Sequence, residues 1–389
     1  MALFPIAKPK VHSLTGRITL PLLCAAFQAV KRNRGAAGID QVSVKMFEAN
    51  LAEKLLALER ELKDGSFSPF PLRRKFIPKE PGKFRPLGIP AVRDRVAQEA
   101  LRRLLHPIFE PLFHDASFGF RPKRNCHQAL ERALELHDAG FQVVLDADIK
   151  GFFDNLSHQV IMEAVAAQVA DGNLLHLIEK FLRSGVREEG VFKPTTIGTP
   201  QGGVISPLLA NMVLNHLDWR LHERGFRFVR YADDSVVLCQ TRAQAEEALV
   251  LVTQTLTELG LSLSAEKTRI TTYGKGYAFL GFVMSRRSRR MRDKSQRKFQ
   301  DKVRGLTIRS RNLDAEVIVK LNQVIRGTAH YFATRWFTGR WKFRELDAWI
   351  RRRVRCMKYK RFRYHDNRRW RVQQAERLGL LRLENFCPV

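Results

Sequence analysis

The chain of 389 residues lacks several features that would assign it to familiar classes of protein. Its five cysteines are far apart and include no C-x-x-C pair, which argues against a zinc site or a disulfide framework. It has no apolar run of roughly 18 residues, the length needed to span a membrane. The N-terminus lacks the apolar segment and cleavage site of a secretory signal. We therefore predict a cytoplasmic protein without a membrane partner.

Acidic residues are scarce relative to basic ones. There are 68 Lys and Arg against 39 Asp and Glu, for a net charge of +29. Solubility alone needs far less charge, so the composition indicates a polyanionic partner, with nucleic acid as the leading candidate. The excess is uneven, because Arg286 to Val389 contain 31 basic and 9 acidic residues. We expect this last quarter of the chain to bind the polyanion most strongly.

Two adjacent carboxylates, Asp233 and Asp234, lie between the apolar runs 226–230 and 235–239. Two β-prone runs around a short polar tip are typical of a hairpin. Like charges at such a tip repel each other and require a counter-ion, and a divalent cation suits two carboxylates. The sequence therefore predicts a metal-binding hairpin.

A third carboxylate, Asp148, follows the apolar strand-like run 143–147. Three carboxylates on neighbouring strands match the needs of two-metal phosphoryl transfer, in which one ion activates the attacking oxygen and the other stabilises the leaving one. Asp146 is the alternative ligand on the same strand.

Apolar spacing predicts an α+β protein. The residues before about 70 are expected to be mostly helical, 73–77 forms a strand, and 94–105 forms a helix with Asp94 as its N-cap. Strands, helices and hairpins alternate from about 141 to 283, including a helix over 242–259. The basic final segment is expected to be largely helical.

Seven motifs follow one another along the chain. They are Ile77-Pro78-Lys79 with 82–87, Ser117-Phe118-Gly119-Phe120-Arg121-Pro122, 148–154, 198–207, Tyr231-Ala232-Asp233-Asp234, Glu266-Lys267-Thr268 and 279–282. This order resembles the reverse transcriptases encoded by bacterial group II introns, from about Asn33 onward. The resemblance implies a right-hand polymerase with an antiparallel palm sheet and an α-helical thumb/maturase domain. It divides the chain into an N-terminal extension (1–70), fingers and palm (71–285) and a basic helical thumb/maturase domain (286–389).

The implied activity is RNA-directed DNA polymerisation by two-metal nucleotidyl transfer onto a primer 3′ hydroxyl. The implied cofactors are two Mg²⁺ ions. Expected partners are an RNA template, a DNA or RNA primer, deoxynucleoside triphosphates and a structured intron RNA. Two alternatives stay open: a domesticated relative acting in antiviral defence or DNA repair, and an RNA-folding maturase whose polymerase activity is dispensable.

The resemblance also implies roles for individual residues. The metal ligands are Asp148, Ile149, Asp233 and Asp234, and Lys267 matches a lysine that assists pyrophosphate departure. The nucleotide-binding residues are Lys79, Arg85, Phe153, Gln201 and Gly202. The primer grip comprises Phe279, Leu280, Gly281 and Phe282. Arg32 and Arg34 match the extension that clamps the template. Apart from the resemblance, the contiguous charges of 351–355 fan around a predicted helix, so we expect Arg351, Arg352 and Arg355 to contact nucleic acid.

Several of these assignments have competing interpretations. Phe152 competes with Phe153 as the steric gate against the ribose 2′ hydroxyl, and Asp154 is expected to be a helix cap. Phe279 and Phe282 are equally compatible with a place in the core. The residues after Trp370 do not resemble the His-Asn-His endonuclease region of many intron proteins, so we expect the chain not to nick a second DNA strand.

Overall fold

The computed structural model describes residues 3–6, 9–80, 82–199, 202–363, 365–366 and 370–388. The chain divides into two compact units, 1–270 and 271–389. Within the described ranges, the helices are all too short or too polar to cross a membrane.

The first unit is rich in helices. They are α1 (Leu20–Arg32), α2 (Val44–Ala49), α3 (Leu51–Asp64), α4 (Val92–Phe109), α5 (Cys126–Asp138), α6 (Phe152–Asn155), α7 (His158–Ala166), α8 (Gly172–Leu182), α9 (Ser206–Glu223) and α10 (Arg242–Glu258). The predicted helix over 242–259 is confirmed as α10. Its start is capped by Thr241, whose side chain accepts a hydrogen bond from the Gln244 amide.

Eight strands of the described residues up to 272 form two sheets. They are β1 (Leu72–Glu80), β2 (Lys83–Ile89), β3 (Val143–Asp148), β4 (Val186–Glu188), β5 (Val191–Lys193), β6 (Arg227–Tyr231), β7 (Asp234–Cys239) and β8 (Arg269–Thr272). The strand orders are β2-β1-β4-β5 and β6-β7-β3-β8. In the second sheet β7 pairs antiparallel with both β3 and β6, so the predicted hairpin is confirmed.

One apolar core joins the elements of the first unit. It includes Leu23 of α1, Leu58 of α3, Val96 of α4, Leu145 of β3 and Val213 of α9, each at most 1% exposed. The N-terminal helices therefore pack into the same core as the helices around the sheets. This packing supports β3 and β7 from behind and leaves the ends that carry the acidic residues near the surface.

The second unit has its own small sheet and a set of helices. The strands are β9 (Tyr277–Phe279), β10 (Phe282–Met284) and β11 (Arg289–Met291), and the helices are α11 (Asp293–Leu306), α12 (Ala315–Phe332), α13 (Arg340–Tyr359) and α14 (Val372–Arg377). The strand order is β11-β10-β9, with antiparallel pairing throughout. The expectation of a largely helical basic segment is confirmed.

Two predicted helix caps are wrong. Helix α4 begins at Val92 after Ala91, so Asp94 lies inside its first turn and accepts a hydrogen bond from the Phe70 amide over 2.9 Å. Asp154 lies within α6, whose N-cap is Gly151 in a left-handed conformation. The carboxylate of Asp94 thus accepts from the amide of a distant residue, Phe70, instead of capping the amides of its own helix.

Candidate active site

Strand pairing brings two of the predicted metal ligands side by side. Asp148 ends β3 and is the register partner of Asp234, the first residue of β7. Asp233 occupies the turn before Asp234, and the turn contains Ala232 in a left-handed conformation with φ of 58°. The three carboxylates therefore belong to two neighbouring strands and one tight turn, as the sequence predicts.

Lys267 supplies the positive charge at this corner. Its ammonium group donates to both carboxylate oxygens of Asp148, over 2.9 and 3.1 Å. These hydrogen bonds raise the pKa of Lys267, and the charges of Asp148, Asp234 and Asp233 contribute to the rise. Lys267 thus lies within the field of all three carboxylates.

Asp146 has a different cationic neighbour. Its side chain lies 3.4 Å from the guanidinium of Arg269 on β8. Asp146 shares a face of β3 with Asp148, two residues away, but its strand neighbour across the sheet is Val236 and not an acid. This environment favours Asp148 as the ligand of the strand.

The donor set fits a hard divalent cation in its chemistry. Carboxylate and carbonyl oxygens are the ligands that Mg²⁺ prefers, and the Lys267 ion pair shows that the corner attracts a cation. Ile149 pairs with Leu263 in an isolated antiparallel bridge. The two hydrogen bonds of this bridge run from the Ser264 amide to the Asp148 carbonyl and from the Lys150 amide to the Ser262 carbonyl. The bridge therefore does not use the Ile149 carbonyl. Among the described residues no three His, Cys, Asp or Glu side chains already converge as ligands.

The two phenylalanines after β3 have different surroundings. Phe152 is 3% exposed and belongs to the core, whereas Phe153 is half-buried and packs against the edge of that core. Their rings meet edge to face with centroids 5.1 Å apart. Burial leaves Phe152 without a surface for a nucleotide, so Phe153 remains the better candidate for the gate.

The first two residues of the glycine-rich loop (198–205) pack against the end of α6. The amides of Gly198 and Thr199 donate to the carbonyls of Leu156 and Phe153, over 2.9 and 2.8 Å. Gly198 has φ of 86°, and a Cβ there would lie 2.7 Å from the Asp154 carbonyl oxygen. Only glycine allows this close approach. Gln201 lies outside the described residues.

The far side of the loop rests on β2 and α4. Gly202 adopts φ of 122°, and a Cβ at Gly202 would collide with the Gly88 carbonyl. The buried side chain of Gln98 accepts a hydrogen bond from the Val204 amide over 2.7 Å. Sequence reasoning missed Gln98, because its helix carries several charged residues and a glutamine among them gives no sign of burial.

Arg85 lies on the β1–β2 hairpin with an exposed side chain. Its register partner is Ile77, and the alternation of side chains places Arg73 and Lys75 on the same face. This basic face suits a triphosphate, because guanidinium groups match phosphate oxygens in geometry. The backbone of Lys79 belongs to β1, but its side chain lies outside the described residues.

Comparison with known proteins agrees with this geometry. Residues 77–284 match the family of reverse transcriptases (RNA-dependent DNA polymerases), and residues 296–376 match the group II intron maturase-specific domain. The first match covers more than half of the chain. The chain belongs to the group II intron reverse transcriptases. It is an RNA-directed DNA polymerase joined to a maturase-specific domain, of a family that works with divalent metal ions and nucleic-acid partners.

Individual relatives differ in how much of their length they share with this reverse transcriptase. Protein YkfC of Escherichia coli K12 is 35% identical over 323 residues, which cover 72% of this chain and 85% of YkfC. The group II intron-encoded protein LtrA of Lactococcus lactis is 39% identical over 214 residues, 54% of this chain and 35% of LtrA. A putative COX1/OXI3 intron 1 protein of Saccharomyces cerevisiae is 28% identical, over 71% of this chain and 39% of its own length.

The two predicted basic contacts of the N-terminal region lie where α1 ends: Arg32 is its last residue, and Arg34 belongs to the loop that follows. Arg32 and Arg34 are exposed, and Arg34 has φ of 47°. The buried guanidinium of Arg95 donates to the carbonyls of Ala36 and Pro90, the latter over 3.1 Å. Arg95 therefore anchors the loop from below, a role that the sequence did not reveal.

The predicted primer grip forms the β9–β10 turn of the second unit. Phe279 and Phe282 are 3% and 0% exposed, so both rings belong to the core of this unit. Leu280 and Gly281 form the tip with φ of 45° and 83°, and the Tyr331 hydroxyl donates to the Leu280 carbonyl over 2.8 Å. Any contact with a primer would therefore come from the tip.

The arginines of α13 divide by burial. Arg352 is exposed and Arg351 is half-buried. Arg355 is 3% exposed, so the expectation that it faces nucleic acid is wrong. It follows Val354 on the face that packs into the core, because consecutive residues of a helix are only about 100° apart. Within this cluster, Arg352 is the residue best exposed to a polyanion.

Proposed function

We propose that this reverse transcriptase extends a primer on an RNA template with a right-hand arrangement of fingers, palm and thumb. The fingers and palm would occupy 71–285, the thumb/maturase domain 286–389, and the N-terminal extension 1–70. The observation that carries the proposal is the register of Asp148 with Asp234 beside Asp233, with the Lys267 ammonium against them. An ordinary solvated turn would not need three clustered carboxylates, so their clustering favours a role in binding metal ions.

Asp148, Asp233, Asp234 and the Ile149 carbonyl would hold two Mg²⁺ ions. When bound, the ions activate the primer 3′ hydroxyl and neutralise charge on the phosphates. Lys267 would release Asp148 to the metal site and protonate the departing pyrophosphate, because its ammonium group lies within the field of the three carboxylates.

The nucleotide would lie between the basic hairpin and the glycine-rich loop. Arg85 and Lys79 would bind the triphosphate, while Gln201 and Gly202 would line the pocket. Phe153 would exclude a ribose 2′ hydroxyl. The hydrogen bonds from loop 198–199 to 153–156 support this arrangement, since they hold the gate and the loop against each other.

The second unit would bind structured RNA. The match to a maturase-specific domain and the 31 basic residues from Arg286 to Val389 support this role. Arg352 on α13, Arg32 at the end of α1 and Arg34 in the loop after it would contact phosphates, which give affinity without sequence information. An intron RNA is the first candidate ligand, and a domesticated enzyme without an intron is the alternative.

The metal assignment is tested with Asp233→Asn. We expect primer extension in Mg²⁺ to fall by at least about 100-fold, because a missing ligand weakens stabilisation of the transition state. Affinity for RNA should stay near the wild-type value. Asp146→Asn is the matched control, since it removes a carboxylate of the same strand that pairs with Arg269, and it should remain active. Near-normal extension by Asp233→Asn would contradict the assignment.

The RNA partner is tested with the RNA that flanks the gene. We expect purified protein to bind a transcript of an adjacent intron more tightly than a scrambled transcript of equal length, and to promote its splicing. Asp233→Asn should splice normally, because splicing does not need the metal site. Equal binding of both transcripts, without splicing, would favour the domesticated alternative.

A further inference from the structure

Arg230 precedes the acidic turn and forms a buried ion pair with Asp218 of α9. Its Nε and Nη2 atoms lie 2.7 and 2.5 Å from the two oxygens of Asp218. Both side chains are at most 1% exposed. Two charged side chains are thus buried next to the acidic turn, one of them on β6, the strand that leads into it.

The third guanidinium nitrogen of Arg230 reaches the turn itself. Nη1 donates to the carbonyl of Ala232 over 2.9 Å and to the Asn211 side chain over 3.0 Å. Ala232 is a non-glycine residue with a left-handed backbone, a conformation that needs support from its surroundings. Asp233 follows immediately, so a bond to the Ala232 carbonyl acts on the peptide that joins it to Asp233.

The same network extends to the loop 116–119, which packs against the turn. The Asn211 amide nitrogen donates to the Gly119 carbonyl over 2.9 Å. A Cβ on Gly119 would lie 3.0 Å from the Tyr231 carbonyl carbon and still closer to the Ala232 amide. The Arg230 backbone also exchanges hydrogen bonds with Ala116 and Phe118, each over 2.9 Å. The loop 116–119 and α9 therefore enclose the turn.

We propose that Arg230 is a positioning residue that fixes the backbone of the acidic turn, and with it the places of Asp233 and Asp234 relative to Asp148. This inference rests on the proposed metal role of those carboxylates. Adjacent carboxylates repel each other, and catalytic groups must be held within about 0.5 Å of their working geometry. Stability alone does not explain the pair, since an apolar pair of similar volume is often as stable as a buried ion pair.

The competing interpretation is that the pair only stabilises the fold. Three variants separate the two. Arg230→Met with Asp218→Leu removes both charges and refills the volume. Arg230→Lys keeps the charge but lacks the fork that reaches Ala232. Gly119→Ala leaves the ion pair intact and presses on the Ala232 backbone.

The measurements are the melting temperature, kcat, the KM for deoxynucleotide and the Mg²⁺ concentration at half-maximal activity. For the double variant we expect near-wild-type melting, a kcat lower by about 10- to 100-fold, and a several-fold higher Mg²⁺ midpoint. KM and RNA affinity should change little. Gly119→Ala should shift kcat and the Mg²⁺ midpoint in the same direction, and Arg230→Lys likewise.

A folded double variant with wild-type kcat and Mg²⁺ midpoint would overturn the inference. If that variant does not fold, unchanged values in both Arg230→Lys and Gly119→Ala would overturn it equally. Asp233→Asn serves as the reference: if it remains active, the proposed metal site fails whatever Arg230 does. If Asp233→Asn is inactive while the Arg230 and Gly119 variants behave as wild type, only the positioning role fails.

Discussion

The amide of Thr199 donates to the carbonyl of Phe153 over 2.8 Å, which ties the glycine-rich loop to the short helix after the acidic strand. A neighbouring bond joins Gly198 to Leu156. The start of the glycine-rich loop is therefore hydrogen-bonded to the segment that carries Phe153, the proposed sugar gate. A side chain can be shortened at position 153 without disturbing this link, because the link uses backbone atoms only.

Phe153→Val should raise the incorporation of ribonucleotides relative to deoxyribonucleotides. The smaller side chain would no longer meet the 2′ hydroxyl, and discrimination of this kind is a difference in transition-state binding. The ratio of the two kcat/KM values measures the effect. Phe152→Val is the control, because Phe152 is buried: it should cost about 1–3 kcal/mol of stability and leave the ratio unchanged. The reverse pattern would move the gate to Phe152.

Gln98→Leu should raise the KM for deoxynucleotide several-fold. The substitution removes the acceptor that holds the Val204 amide, so the loop after Gly202 loses its attachment to α4. Thr255→Val is the control, since it also deletes a buried polar group, one bonded within its own helix to the Leu251 carbonyl. Steady-state kinetics on a fixed primer and template compare the two. Similar KM values for both variants would show that Gln98 does not hold the pocket.

Arg352→Gln should weaken RNA binding across sequences and flatten its salt dependence. One lost phosphate contact changes the slope of log affinity against log salt by roughly 0.7–0.9. Arg355→Gln, at a buried position three residues on, should lower the melting temperature and keep the slope. Titrations at several salt concentrations measure both. The same slope in Arg352→Gln and wild type would place Arg352 away from the nucleic acid.

Asp94 should make stability depend on pH. Burial raises the pKa of this carboxyl from 3.8 to about 7, despite the opposing charge of Arg93. Because the folded state holds the proton more tightly, the protonated form contributes stability that is complete below about 4 and is lost as the pH rises through 7. Inside this window the loss is of the order of 1.4 kcal/mol per pH unit.

Asp94→Asn tests this dependence, since asparagine can still accept from the Phe70 amide but carries no proton to lose. The free energy of unfolding of the variant, measured by denaturant between pH 4 and pH 8, should fall less steeply than that of the wild type. Two parallel curves would assign the pH dependence to other groups.

The acidic hairpin could be predicted from the sequence because its signal is local. Two apolar runs around Asp233 and Asp234 predict both the strands and the turn. The apolar run 143–147 predicts β3 in the same way. The burial of Arg230 could not be predicted in this way, since a charged residue in a strand normally faces water. Its burial depends on Asp218, which belongs to a different element.

The spacing of Asn211 and Asp218 along α9 was a partial sequence signal for the hydrogen-bond network of Arg230. Asn211 and Asp218 are seven residues apart, so they share one face of α9 with apolar neighbours, and polar residues on a buried face need partners. Which partners they find depends on how the helix lies against the sheet. Arg355 shows the same limit, because contiguous arginines carry no sign of which one points inward.

The ion pair between Arg230 and Asp218 also restricts how this enzyme can change by mutation. Losing either partner alone leaves a buried charge and costs about 3–5 kcal/mol, a large part of the roughly 5–15 kcal/mol that stabilises a typical domain. A library of single substitutions would therefore report both positions as intolerant. A pair of apolar residues could nevertheless fill the space, but it is reached only by two simultaneous changes, and selection that proceeds one step at a time would not find it.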